Sequence, residues 1–142
     1  MKKTYLLLLA IIISISNGIT QETNSQININ KMILKYSDGS GNSYKIIKGN
    51  ISFQPISREM SSSGLYDGGE PAQNKITKKN FKKVYLAFES IFKNKKIQIP
   101  NRIKTSGLLS MQEEGEDKKV SIIKKSEEQK QLELMLKELL KL

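Results

Sequence analysis

Between Thr77 and Lys93 apolar residues recur at Phe81, Val84, Tyr85, Phe88, Ile91 and Phe92, the i, i+3, i+4, i+7 spacing that lines one face of an α-helix. No other segment after residue 20 is as long with so clean a period. It carries three of the four phenylalanines of a chain with no tryptophan, so a core that omitted this helix would have little large apolar mass to bury. Thr77 is placed to cap the first turn. Asn94, Lys95 and Lys96 end the helix and Pro100 confirms the stop. Its opening is unusual: Lys78, Lys79, Lys82 and Lys83 stand where the helix dipole favours anions, at a cost of a few tenths of a kcal/mol each when exposed.

The flanking segments read mainly as strands. Met32, Leu34 and Tyr36 alternate with Lys31, Ile33 and Lys35; the turn formers Ser37 to Asn42 follow, and Tyr44, Ile46 and Ile47 return, which together describe a β-hairpin. Ile51 and Phe53 give a third strand or a bent continuation of the second. Downstream, Ile103, Thr105, Leu108, Leu109 and Met111 form a strand region whose apolar parity shifts at Ser106-Gly107, as a bulge at Gly107 would produce. The acidic run Glu113 to Asp117 turns it back into Val120, Ile122 and Ile123. A last helix opens at Ser126 with Gln129 completing a capping box, and buries Leu132, Met135, Leu136, Leu139 and Leu140. The expected fold is a small α+β two-layer domain, with an antiparallel sheet of four or five strands built from two hairpins and two helices on one face.

The N-terminus sets the expected compartment. Lys2 and Lys3 precede the apolar run Tyr5 to Ile13, which gives way to Ser14, Ser16, Asn17 and Gly18; a basic start, a short apolar stretch and a small-residue exit form a secretory signal. The run is short of the roughly 20 apolar residues a membrane span needs. Residues 1–20 are therefore read as a signal peptide, with Thr20 or Gly18 last before cleavage, residues 21–30 as a flexible polar leader, and residues 31–142 as one domain. The protein is expected to be secreted or periplasmic, with no stable membrane insertion once the signal is removed. Lacking cysteine, it has no disulfides to lean on.

The same composition narrows the chemistry. With neither histidine nor cysteine, the chain lacks the usual general base near neutral pH, the thiolate nucleophile and the common zinc ligands. No S-x-x-K stands in the serine-bearing loop and no G-x-S-x-G occurs anywhere, so we expect no enzymatic activity, no cofactor and no metal site. Asp38 to Asn42 begins like a calcium loop but lacks its later acids, and a hairpin turn accounts for it. Asn50-Ile51-Ser52 fits a glycosylation sequon, which matters only in a eukaryotic secretory route.

Binding remains. The net charge is +10, carried almost wholly by lysines; these are hydrated point charges rather than forks shaped for phosphate or carboxylate. Lysines at the helix start, with Phe81 and Tyr85 near them, do not make a nucleic-acid site, because those aromatics lie on the core face. The segment from Pro55 to Asn74 has almost no periodicity, and loops of that length are usually functional or disordered. Within it Ser63, Gly64, Leu65, Tyr66, Asp67, Gly68 and Gly69 combine permissive glycines with a large amphipathic side chain, as binding loops do. The expected function is an exported, non-enzymatic binding module, inhibitor-like or accessory, meeting another protein through the Ser61 to Pro71 loop. In the blander reading Leu65 and Tyr66 fold back over an open sheet edge. The alternative function is a cell-envelope protein that binds an anionic polymer or surface through Lys78, Lys79, Lys82 and Lys83.

Overall fold

Alternation in the first hairpin divides the sheet into two unlike faces, and the rest of the molecule follows from that division. A computed structural model describes residues 28–142 apart from Asp67, Gly115 and Asp117; the expected signal peptide and most of the leader lie outside the described residues. The end of the leader forms a 3-10 turn over Ile29–Lys31 that runs into β1 (Met32–Ser37). Strand β1 buries Met32, Leu34 and Tyr36 and turns Lys35 outward. β2 (Ser43–Ile47) pairs with it antiparallel, Leu34 opposite Ile46 and Tyr36 opposite Tyr44. The turn between them is held by the Asp38 carboxylate, which accepts from the Ser40 and Asn42 backbone N–H groups, both at 2.9 Å.

Ile47 opposite Asn50 closes a two-residue turn, with Gly49 in the left-handed region at φ 86°, and β3 (Asn50–Gln54) returns with Ile51 and Phe53 inward. After the long loop a short edge strand, β4 (Ala72–Lys75), adds to β3. Helix α1 (Lys78–Lys93) follows, its N-terminus capped as expected by Thr77, which accepts from the Asn80 N–H. Then come β5 (Gly107–Glu113), β6 (Lys119–Ile123) and helix α2 (Glu127–Leu140). β5 pairs with β1, so the first strand ends up inside a six-stranded antiparallel sheet of order β4-β3-β2-β1-β5-β6.

Both helices contribute to the hydrophobic cluster on the face that carries Leu34, Ile46, Ile51 and Leu109. Phe81, Val84, Tyr85, Phe88 and Ile91 are buried from α1 and Leu132, Leu136 and Leu140 from α2; full burial of a side chain such as Phe88 stabilises by about 1.5–3 kcal/mol. Polar ties fix the layers. The Tyr36 hydroxyl donates to Glu133 Oε1 of α2 at 2.5 Å, Asn74 Nδ2 donates to the Leu139 carbonyl, and Asn94 Nδ2 at the end of α1 donates to Glu128 at the start of α2.

Three expectations need correction. The sheet has six strands rather than four or five, because Ala72-Gln73-Asn74-Lys75 forms an edge strand with a single apolar residue and so shows no hydrophobic alternation. Gly107 opens β5 in continuous register with Ile123 and makes no bulge, while Ile103 and Thr105 lie outside the strand. A Cβ at Gly107 would sit 2.7 Å from the Tyr36 ring, so close packing is what requires glycine there. Finally, Ser126 caps α2, but Gln129 does not complete the box; its amide Nε2 donates to the Thr105 carbonyl and to Glu133 instead.

Candidate functional site

With both helices on one side, the other face of the sheet carries no layer among the described residues, and side chains at alternate positions line up across it in rows set by the register. One row reads Gln73, Ser52, Lys45, Lys35, Ser110, Val120 from β4 to β6. The next reads Gln54, Ser43, Ser37, Leu108, Ile122 from β3 to β6. Between them lies a hollow of about 420 Å³, lined by Lys35, Lys45 and Lys118, by Ser37, Ser43, Ser52 and Ser110, and by Leu108 and Val120.

Its electrostatics are one-sided. Lys35 and Lys45 stand directly opposite one another on adjacent strands, an arrangement that destabilises a sheet, and no acid among the described residues lines the hollow to offset them. Neither lysine, nor Lys118, forms an ion pair with a described residue. Ser110 lies between Lys35 and Val120 on the floor, only 8 % exposed, and its side chain makes no hydrogen bond to a described residue. No serine hydroxyl in the hollow is hydrogen-bonded to a lysine Nζ among the described residues. A second cleft, of about 470 Å³ beside the N-terminus of α2, sets Asp38, Glu127 and Glu133 against Lys104, Lys125 and Lys130. Its charges balance, so it makes no comparable demand for a counter-charge.

The loop singled out from sequence is anchored at its base. Asn42, 6 % exposed, joins three segments: its Nδ2 donates to Asp38 and to the Tyr66 hydroxyl, and its Oδ1 accepts from the Ile56 N–H. The Gly68 N–H donates to the Ile56 carbonyl, and a Cβ on Gly68 would lie 2.2 Å from Asn42 Oδ1. Ser63 Oγ accepts from the Leu65 and Tyr66 N–H groups, and Gly64 and Gly69 take positive φ. Asp67 lies outside the described residues. Tyr66 is therefore tied to the hairpin, whereas Leu65 and, a few residues earlier, Met60 project at 83 % and 76 % exposure.

Lys78, Lys79, Lys82 and Lys83 are all exposed on α1, in the helical layer and so across the sheet from the hollow. The structure brings neither them nor Leu65 together with Lys35 and Lys45. Sequence reasoning passed over the hollow because lysines on the polar side of a strand look like ordinary solvated charge. The signal was present in the hairpin: once Tyr36 is paired directly with Tyr44 across the turn, Lys35 stands opposite Lys45.

No described helix is long and apolar enough to cross a membrane, and no group of three or more acids among the described residues is disposed to hold a metal ion. Family models, curated proteins and solved structures yield no match to this chain.

Proposed function

We propose that the protein is an exported, non-enzymatic binding module that takes an anionic ligand on the open face of its sheet. The observation that carries this reading is the Lys35–Lys45 pair: two like charges directly opposite on central strands, with no acid among the described residues lining the hollow around them. Such a pair costs stability of roughly the size that a favourable cross-strand pair contributes, 0.2–1 kcal/mol, and local choices that oppose the fold tend to mark functional positions. A bound anion supplies the missing counter-charge, with the serine hydroxyls as hydrogen-bond partners. The non-enzymatic part of the reading rests on the absence of histidine and cysteine. Export rests on Lys2, Lys3 and the run Tyr5 to Ile13.

Titration with inorganic phosphate, followed by amide chemical shifts, tests the site. The expected result is that Lys35, Lys45 and Ser110 shift, and that Lys35→Gln/Lys45→Gln weakens binding about tenfold or more while unfolding at the same or higher denaturant concentration. If the double variant binds as wild type and substitution of Lys78, Lys79, Lys82 and Lys83 abolishes binding instead, the site is on α1 and the reading is wrong.

A second reading keeps the loop as a contact for another protein. It is favoured by the exposure of Leu65 on a segment whose base is held in place, since a preorganised apolar side chain loses little entropy on binding.

A further inference from the structure

The hollow is not uniform, and its asymmetry bears on what fills it. On the β1 to β3 side its lining is cationic and hydroxylic: Lys35, Lys45, Ser37, Ser43, Ser52 and Gln54. On the β5 to β6 side Leu108 and Val120 add apolar surface beside Ser110 and the single lysine Lys118, and Ile122 continues the Leu108 row. Val120 is 54 % exposed, on a face that already leaves Leu108 and Ile122 only half-buried. From the Lys35 column on β1 to the Val120 column on β6 is two strand spacings, roughly 10 Å.

We propose that the ligand is an anionic amphiphile bound as a single molecule, its head between Lys35 and Lys45 and its apolar tail lying across Leu108 and Val120 towards β6. This rests on the anion-binding reading above and adds the tail. The head is defined by charge alone, because no arginine lines the hollow to select a planar group. A phosphate ester, sulfate ester or carboxylate each supplies it. Charge complementarity favours the facing pair Lys35 and Lys45 over the lone Lys118 for the head, and a tail leaving that pair along the row passes Ser110 to reach Val120. A single molecule suits a hollow of about 420 Å³ sunk in the sheet; a bilayer would present its headgroups as a plane and would leave the apolar side of the hollow unfilled.

The test compares two probes on the full protein: inorganic phosphate and octyl phosphate, the latter kept below its micelle-forming concentration. Octyl phosphate is expected to bind roughly tenfold or more tightly, since even partial burial of its chain adds apolar contact. Leu108→Thr/Val120→Thr, which keeps strand-forming side chains, should remove that advantage and leave phosphate binding as it was. Lys35→Gln should weaken both probes by a similar factor. Equal affinity for the two probes in the wild-type protein overturns the amphiphile and leaves the anion site standing. Failure of both probes to bind overturns the anion site itself. Capture by vesicles containing an anionic phospholipid, without measurable affinity for octyl phosphate, overturns the single-molecule seat in favour of a membrane surface.

Discussion

Ser121 and Lys35 are polar residues on opposite faces of one sheet, and the structure treats them differently. Ser121 faces the core from β6, opposite Leu109, and its hydroxyl has no hydrogen-bond partner among the described residues. A buried hydroxyl left without a partner costs about 1–3 kcal/mol. Ser121→Ala is therefore expected to keep or raise stability by up to about 1 kcal/mol, measured as the urea midpoint at constant m-value. A loss of more than that would mean that the hydroxyl is bonded after all. Lys35 also opposes stability, through Lys45, but it does so where a ligand can reach it. Residue by residue, the inward set was legible: Phe81, Val84, Tyr85, Phe88 and Ile91 are buried as their period requires, and Phe92 is half-buried at its edge. The outward set was not, because a lysine beside water looks the same whether or not it faces another lysine.

Among the elements, those that bury a periodic apolar face were legible and those held by polar bonds were not. Both helices and the first hairpin stand where alternation or helical spacing places them. β4 is invisible to such reasoning because backbone pairing with Ile51 and Phe53, together with the Asn74 bond to α2, holds it in place of apolar burial. The same holds for the loop, whose order comes from Asn42, Tyr66 and Gly68. Two substitutions separate its contact role from its structural one. Leu65→Ala should leave the melting temperature within a degree or two, since the side chain touches little, yet weaken a loop-mediated protein contact by more than about 1 kcal/mol. Tyr66→Phe removes the acceptor for Asn42 and should cost about 0.5–1.5 kcal/mol, seen as faster amide exchange at Gly68. If Leu65→Ala lowers stability as much as Tyr66→Phe, Leu65 is a lid and the contact reading fails.

For the molecule as a whole, buried tyrosines set an alkaline limit. Burial, then the negative charge of Asp38, pushes Tyr44 up to about 12; burial, then the charge of Glu89, pushes Tyr85 up to about 12. Burial and its bond to Glu133 raise Tyr36 well above the usual tyrosine value. In the unfolded chain these groups ionise near about 10, so above that pH the unfolded state loses protons that the folded state keeps. Stability is full below about pH 10 and falls as pH rises through 12. Denaturant midpoints over this range should drop, and the drop should be shallower in Tyr85→Phe; taking the difference between the two proteins removes the common titration of the lysines. Parallel curves would show that Tyr85 ionises alike in both states.

The central position of β1 has a consequence for the order of assembly. β1 to β4 form a meander of neighbours in sequence, whereas Met32 meets Glu113 only after α1 has been laid down. The β1–β5 seam is thus the long-range closure on which slow steps fall, and the hollow straddles it, with Lys35 and Lys45 on one bank and Ser110 and Val120 on the other. Nothing that ends before Gly107 can contain the complete hollow. A molecule seated there bridges the two halves and holds shut the seam that closes last.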